Sequence, residues 1–492
     1  MDRTLSLKNK LLFLSLFCIT VFIAADDQTV IVTLLPSMIL DLRISVGELN
    51  KVSWTITSYL LGFTLIMPIA GKICDKYGYK STLIISLLIF SFGSLMIGMT
   101  NIIPNSPFLP SKLLWMVFFR FIQAMGGGAI IPICMVGISL IFEKKYWIYG
   151  FGLIGASAEL GGVIGPLWGS LIVEYWNWET AFLINIPISF GIIFLMYFLP
   201  NSQPSKARIK IFDAILFSVV IILTTYLISE YSNLTSLNLV IIISIIFLLC
   251  FFIYRVLKGL QDFIPPEIFK YKTFIISFST HFFIGASLII IMVTIPLSSS
   301  TIHEMGNLEI GLSLLNLTLF IGVGSIIGIL LSKFSNFFSM NLAGVITSIG
   351  ILLYSINISK PPNDLAYIFF IVGTGFGLYI VPIHNLGLEK IPVKIRGIAS
   401  SMISFSRMTG MIFGLSIMTA FGTSRFSELV SGIQIFTSNS KEQKELINNI
   451  NIAGIEVFQE LIFGALIFSV IALVLGIIIQ IDYLIKKNKI LK

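Results

Sequence analysis

The sequence is poor in charged residues. Only 11% of its 492 residues are Asp, Glu, Lys or Arg, whereas 56% are hydrophobic, and the mean hydropathy is +0.97. Soluble globular domains carry roughly 25% charged residues. This shortage excludes a soluble enzyme and an intrinsically disordered chain. It also excludes nucleic acid as a partner, although the net charge is +8.

Cysteine and histidine are also scarce. The four cysteines are scattered and form no C-x-x-C pair, which argues against a disulfide framework and against a metal site. The three histidines, His281, His303 and His384, lie on separate segments. A membrane enzyme would need a constellation such as H-E-x-x-H or a Ser–His arrangement, so a membrane enzyme or a non-transporting receptor is the disfavoured alternative. No cofactor is predicted.

Long apolar runs dominate what is present. About fourteen runs have the roughly 20 residues that a helix needs to cross a hydrocarbon core. The pattern predicts an all-α polytopic membrane protein in the lipid bilayer. The runs lie near residues 11–35, 50–71, 81–100, 112–142, 146–173, 180–199, 212–231, 237–257, 273–299, 309–332, 341–358, 366–389, 398–425 and 456–484.

The spacing of these runs predicts three parts. We expect an N-terminal six-helix bundle over 1–199, two linking transmembrane helices over 200–272 and a C-terminal six-helix bundle over 273–492. Lys and Arg concentrate in alternate loops, which predicts a cell membrane location with both termini cytoplasmic. The polar segment 426–455 then lies on the outer face, either as a solvated linker or as an outward extension of the flanking helices.

Four ionisable residues lie well inside apolar runs: Asp27, Arg120, Glu159 and Arg407. A charge at the centre of a bilayer costs about 2.5–3.5 kcal/mol on insertion scales, so such residues indicate a polar cavity or an ion path. Two acids and two bases on different helices can pair across a bundle. Movement of the arginine away from a buried carboxylate would favour its protonation. We therefore predict that these four residues couple transport to protons.

Other polar residues within the runs are candidates for a cavity. They are Asp26, Gln123, His281 and His384. Helix-end snorkelling is the alternative for His384, and a satisfied position inside the bundle is the alternative for His281. Small residues recur at a spacing of four in one run, at Gly161, Gly165 and Gly169 with Pro166 among them. That spacing favours close helix packing, and the proline adds a kink.

The segment G-K-I-C-D-K-Y-G-Y-K, residues 71–80, resembles the cytoplasmic loop signature of the major facilitator superfamily. The matching residues are Gly71, Asp75, Lys76, Gly78 and Lys80. The resemblance implies the major facilitator fold, with two six-helix bundles. It also implies that the acid of this loop locks neighbouring helix ends in one conformation.

Four further segments resemble motifs of the fourteen-helix drug:proton antiporters within that superfamily. They are Asp27–Pro36, Arg120–Gly128, Gly161–Ser170 and Trp178–Pro187, the last with Glu179 in place of the usual arginine. The resemblance implies a monomeric antiporter that exports hydrophobic or amphiphilic compounds by alternating access. Its energy source would be the proton gradient. Uptake of a polar solute is the alternative, but the runs hold few polar residues.

A narrower resemblance joins Glu159-Leu160, Ser406–Ser416 and Thr423–Phe426 to actinobacterial lipid exporters that work with a lipoprotein. It implies export of triacylglycerides or glycolipids, a lipoprotein partner on the outer face near 426–455, and associated drug tolerance. An ordinary multidrug exporter is the equally weighted alternative. The 42 Phe and 16 Met residues suit an adaptable apolar cavity in either case.

Overall fold

The structure is a computed structural model, and it describes residues 7–44, 49–102, 111–143, 146–198, 212–229, 236–259, 266–392, 395–431 and 440–490. Its α-helices are α1 (Leu7–Asp41), α2 (Leu49–Val52), α3 (Trp54–Tyr77), α4 (Tyr79–Gly98), α5 (Lys112–Ile141), α6 (Trp147–Tyr175), α7 (Thr180–Leu183), α8 (Asn185–Met196), α9 (Phe212–Ser229), α10 (Ser236–Leu257), α11 (Lys272–Thr301), α12 (Asn307–Ser332), α13 (Asn336–Ile356), α14 (Ala366–Leu388), α15 (Arg396–Val430) and α16 (Ser440–Ile490). Short 3-10 helices cover Pro266–Lys270 and Pro362–Leu365.

Each of the fourteen predicted runs falls on helix, and the described residues contain no strand, so the all-α membrane class is confirmed. Ten helices are long and apolar enough to cross a membrane by length and composition. Helix α15 is as long as these, but its Ser, Thr, Gly and Arg residues make it less apolar. The run predicted over 180–199 is interrupted near Ile184, between α7 and α8.

The chain divides into two compact units. Unit 1 comprises residues 1–42, 54–223 and 244–265, and unit 2 comprises 43–53, 224–243 and 266–492. The linking helices α9 and α10 are shared between the units in this division, so the predicted boundaries at 199 and 272 stay a prediction.

Both units use the same order of helix pairing. In unit 1 the first membrane helix packs on the fifth (α1 on α6), the second and third pack on the fourth (α3 and α4 on α5), and the third packs on the sixth (α4 on α8). Unit 2 repeats these pairs as α11 on α15, α12 and α13 on α14, and α13 on α16. The halves therefore repeat in architecture, as transporters often do, although they share little residue identity.

Glycines on α6 bring it against α1. A Cβ atom at Gly161 or Gly169 would collide with a backbone oxygen or a threonine hydroxyl of α1, and one at Gly165 would lie 2.8 Å from the carbonyl oxygen of Asp26. The predicted close packing at this spacing is confirmed, and Pro166 lies inside the same helix. This contact fixes the part of α1 that carries the two consecutive aspartates.

The polar segment 426–455 is mostly helical. Helix α15 continues to Val430, and α16 begins at Ser440 and is 51 residues long. At 1.5 Å per residue α16 spans about 77 Å, more than twice the roughly 30 Å of a hydrocarbon core. The interpretation as extended flanking helices therefore describes this segment better than a solvated linker, while residues 432–439 lie outside the described residues.

One arginine joins the extended ends of these two helices. Arg425 on α15 forms ion pairs with Glu456 at 3.0 Å and Glu460 at 3.2 Å, both on α16, and with Glu428 one turn away on its own helix at 3.0 Å. The carboxylates are partly exposed, so each pair contributes little alone. Together they join α15 to α16 beyond the apolar stretches of the two helices.

Candidate functional site

A buried ion pair lies at the centre of unit 1. The Nη1 atom of Arg120 on α5 donates to the Oδ2 atom of Asp27 on α1 at 2.7 Å, and Nη2 lies 3.3 Å from the Asp27 carbonyl oxygen. The side chains are 0% and 1% exposed. Two of the four predicted coupling residues are therefore in direct contact, and neither reaches solvent.

Neutral amides complete the surroundings of the Asp27 carboxylate. Gln123, one turn after Arg120 on α5, donates to Asp27 Oδ1 at 2.9 Å, and Asn185 at the start of α8 donates to the same oxygen at 2.8 Å. Gln123 also accepts from Arg120 at 2.7 Å and donates to Ser94 of α4 at 2.7 Å. Four helices thus meet at a single carboxylate.

Two aromatic rings cover the guanidinium group. Its carbon lies 4.1 Å from the ring centroid of Tyr59 and 5.3 Å from that of Phe182. The Tyr59 hydroxyl donates to the Ala24 carbonyl oxygen at 3.1 Å, which holds the ring in place. Cation–π contacts strengthen when water is excluded, as it is around this fully buried arginine.

Sequence reasoning missed Tyr59, Ser94 and Asn185. Asn185 stands in the I-N-I-P segment that was matched to a motif, so a signal for it existed. No sequence signal marked Tyr59 or Ser94, because residues with a single hydroxyl group are common in membrane helices. Only the tertiary packing brings these two residues to the ion pair.

Asp26, the neighbour of Asp27, has different surroundings. It is half-buried on the side of α1 that packs on α6, and its Oδ1 atom is buried without a hydrogen-bond partner. Asp27 is the charge that acts on it. Glu159 on α6 is also half-buried, and it forms no hydrogen bond or ion pair with a residue in the described ranges. The structure therefore does not bring Glu159 into the Asp27 network.

The other candidates lie together in unit 2. The rings of His281 on α11 and His384 on α14 have centroids 5.4 Å apart and are nearly perpendicular. Arg407 on α15 is close enough for its charge to act on both imidazoles. The sequence predicted each of these residues singly, but it did not predict that they form one cluster.

The loop signature lies between α3 and α4. Gly78 separates the two helices with a φ of 84°, a conformation that glycine adopts without strain. Lys80 donates to the carbonyl oxygen of Tyr197 at 3.0 Å, which ties the start of α4 to the residue that follows α8. Lys76 lies over the ring of Tyr77 at 5.0 Å, and the position of Gly71 is open. The side chain of Asp75 lies outside the described residues, so its locking role stays a prediction.

The described residues form two units with the same helix pairing, ten helices able to span a membrane and an ion pair buried inside one unit. These features are those of helical membrane transporters built from repeats. A family model described as the Major Facilitator Superfamily matches residues 16–415. The chain belongs to this superfamily. It is a multi-pass membrane protein that acts in transport and not as an enzyme.

Similar proteins are found among bacterial transporters. Multidrug resistance protein 3 of Bacillus subtilis strain 168 is 26% identical over 419 residues, which cover 83% of this chain and 78% of that protein. The triacylglyceride transporter of Mycobacteroides abscessus is 25% identical over 447 residues, covering 86% and 84% respectively. That of Mycolicibacterium smegmatis is 24% identical over 444 residues, covering 85% and 77%.

Solved structures share the fold at low identity. A bacterial homolog of the human lysosomal transporter Spinster, inward-facing and unoccupied, gives a TM-score of 0.66 at 13% identity and covers 96% of this chain and 97% of its own. The D-xylose–proton symporter gives 0.64 at 13% identity, covering 93% and 97%. These likenesses confirm the predicted major facilitator fold.

Proposed function

We propose that this protein is a proton-coupled antiporter that exports hydrophobic or amphiphilic compounds by alternating access. The observation that carries the proposal is the buried Asp27–Arg120 ion pair. In the described structure the Asp27 carboxylate accepts hydrogen bonds from three side chains, which offset part of the cost of burying its charge. A proton on Asp27 would cancel the attraction to Arg120 and leave the arginine free to move. Proton binding would thereby loosen the contact between α1 and α5.

Drugs, lipids or both are the cargo that we propose. The relatives named for multidrug resistance and for triacylglyceride transport support this choice. The long α15 and α16 favour the second candidate, a triacylglyceride or glycolipid exporter whose lipoprotein partner binds near 426–455 on the outer face. The proton gradient serves as the energy source, with no cofactor, and the protein works as a monomer in the cell membrane with both termini cytoplasmic. Coupling roles for Glu159 and Arg407 remain part of the proposal.

Accumulation of cargo in the lumen of energised inverted vesicles, where export from the cytoplasmic side fills the vesicle, tests the coupling. We expect export of a cationic dye, of a labelled triacylglyceride or of both to collapse when a protonophore is added. We further expect Asp27→Asn to lower proton-dependent efflux at least 100-fold, because the variant carries no carboxylate to protonate. Glu174→Gln is the matched control, since Glu174 is an exposed acid on α6.

The two cargo candidates give different results in this assay. Movement of dye alone would identify a multidrug exporter, and movement of triacylglyceride alone would identify the lipid exporter. An export rate in Asp27→Asn equal to that of the wild type would refute the coupling mechanism. Export that the protonophore does not slow would also refute it.

A further inference from the structure

Three basic side chains lie close together in unit 2, and no acid within the described residues is paired with any of them. His281, His384 and Arg407 come from α11, α14 and α15, and the two imidazole rings touch edge to face. His281 is about 14 Å along its helix from Lys272, since each residue adds 1.5 Å. The cluster therefore lies at a depth where charges are costly and are normally paired.

The hydrogen bonds of the two histidines fix which ring nitrogen is available. The Nδ1 atom of His281 is 2.9 Å from the carbonyl oxygen of Ile403, and Nδ1 of His384 is 3.0 Å from that of Ile380. Since a carbonyl oxygen only accepts, both Nδ1 atoms carry a hydrogen. The Nε2 atoms are then the positions that gain a proton, and that of His384 is within 3.4 Å of the Ser404 hydroxyl.

Arg407 contrasts with Arg120. Arg120 has a carboxylate, an amide oxygen and a backbone carbonyl as acceptors. Arg407 forms no ion pair or hydrogen bond with a residue that the structure describes, and its Nε atom is buried without a partner. An unsatisfied buried donor costs about 1–3 kcal/mol, more when it is charged. A group that supplies negative oxygens here would remove this cost.

Large apolar residues flank His281 along α11 and Arg407 along α15. Phe282 follows His281 on α11 and packs against Phe413 of α15 at 5.7 Å between ring centroids. Met408, next to Arg407, is 5% exposed. Apolar residues on the same helices as the basic groups suit a molecule with an alkyl chain and a small charged head.

We propose that His281, His384 and Arg407 bind the anionic head group, a phosphate or a carboxylate, of an amphiphile that this protein carries. The inference rests on the proposed function as an exporter of amphiphiles and names one class of its cargo. Arg407 donates to the head-group oxygens, and an imidazole that gains a proton at Nε2 adds a second donor. Arg120 then serves the coupling carboxylate, whereas the half-buried Arg407 binds the cargo in addition to its proposed part in coupling.

Binding to the full-length transporter in phosphatidylcholine nanodiscs tests the site. Dodecyl phosphate is the probe, dodecyltrimethylammonium is the cation of equal chain length, and inorganic phosphate is the anion without a chain. We expect dodecyl phosphate to bind the wild type at least 10-fold more tightly than the cation. An excess of inorganic phosphate should not displace it. Equal affinity for anion and cation, or displacement by inorganic phosphate at matched concentration, would overturn the proposal without any variant.

Variants locate the site. Arg407→Gln should weaken dodecyl phosphate binding at least 10-fold, and Arg407→Lys should recover part of it because it keeps the charge. His281→Gln and His384→Gln should each weaken binding by a few-fold. The change Arg407→Gln removes a positive charge that repels a cation. The affinity of this variant for dodecyltrimethylammonium should therefore not fall. Unchanged dodecyl phosphate affinity in Arg407→Gln would contradict the assignment.

The Asp27→Asn variant separates this inference from the proposed function. It should lose proton-dependent export but still bind dodecyl phosphate with wild-type affinity, since Asp27 lies in unit 1 and the cluster in unit 2. A wild type that binds dodecyl phosphate without proton-dependent export would refute the coupling alone. A wild type that exports dye under proton control but fails to bind dodecyl phosphate would refute the anion site alone.

Discussion

Arg120 and Asp27 form a pair in which each side chain stabilises the buried charge of the other. Both are buried, and two aromatic rings lie close to the arginine, so removal of either partner leaves a charge without compensation. Breaking a buried pair in this way typically costs about 3–5 kcal/mol, whereas replacing both partners costs far less. The pair therefore contributes to stability as well as to the proposed coupling, and the two contributions can be separated by double substitution.

We predict that Arg120→Ala destabilises the protein by about 3–5 kcal/mol, since Asp27 then remains buried with only neutral donors. The double variant Asp27→Asn/Arg120→Gln should recover at least half of this loss. The measurement is the unfolding midpoint in detergent together with the folded yield after size-exclusion chromatography. Equal damage in the single and double variants would show that ring packing, not charge, dominates at Arg120.

Asp26 should respond in the opposite direction. Its buried Oδ1 atom accepts no hydrogen bond and it lies beside a second carboxylate. We therefore predict that Asp26→Asn raises the unfolding midpoint, because the change removes like-charge repulsion and adds a donor. Asp27→Asn, measured alongside it, should lower the midpoint. A fall for both variants would show that Asp26 has a partner that stabilises its charge.

The sequence was informative about residues mainly where a charged or amide side chain interrupted an apolar run. Asp27, Arg120 and Gln123 could be found in this way, and they do meet. Tyr59 and Ser94 could not, since a single hydroxyl group carries little cost in a membrane helix and is not diagnostic. Asn185 stood in a segment that matched a motif, but nothing in the sequence linked it to Asp27. The pairing of His281 with His384 depends on how α11 and α14 pack, which no local pattern encodes.

At the scale of elements, the α1–α6 contact depends on glycine. We predict that Gly165→Val prevents close approach, because the added Cβ would collide with Thr29 and lie 2.8 Å from the Asp26 carbonyl oxygen. The expected result is a severe loss of monodisperse protein after membrane extraction. Gly155→Ala is the matched control on the same helix, because no atom lies within 4 Å of its Cβ position. Normal yield of Gly165→Val would show that α1 can shift without penalty.

The helices themselves were predictable because an apolar run of sufficient length has few other structures available in a bilayer. The polar ends of these helices were not predictable in the same way. Segment 426–455 left two interpretations open, since a charged helix in water shows no apolar periodicity. The structure extends α15 and α16 through most of it, and Arg425 links them through Glu456 and Glu460.

For the whole molecule, hydropathy predicted two repeated halves and the structure confirms their common helix pairing. The pairing itself could not be derived from hydropathy, because lipid-compatible runs do not specify their neighbours. Packing in membranes is decided by small residues and by polar contacts. The glycines of α6 and the amides around Asp27 are examples in unit 1. Gly410 and Gly414 of α15 are examples in unit 2, since a Cβ atom at either would collide with a backbone oxygen of α11.

The charge of the cargo decides how export responds to membrane voltage. If one proton enters per cycle through Asp27, export of a neutral lipid moves one net charge, and 100 mV supplies about 2.3 kcal/mol, or roughly a fifty-fold concentration ratio. Exchange of a monovalent cationic dye for one proton moves no net charge, so a pure voltage should not drive it. An anionic amphiphile moves two charges and should respond about twice as strongly in free energy.

The net charge moved per cycle can be measured from cargo accumulation in vesicles with a potassium diffusion potential and no pH gradient. We predict that voltage drives accumulation of a neutral or anionic cargo but not of the cationic dye. In Asp27→Asn, voltage should drive accumulation of none of the three. The same dye should accumulate when a pH gradient replaces the voltage, which shows that the vesicles are competent. Dye accumulation driven by voltage alone would mean that more than one proton enters per dye molecule. A second carboxylate would then have to join Asp27 in the coupling, and Glu159 and Asp26 are the candidates that the sequence offers.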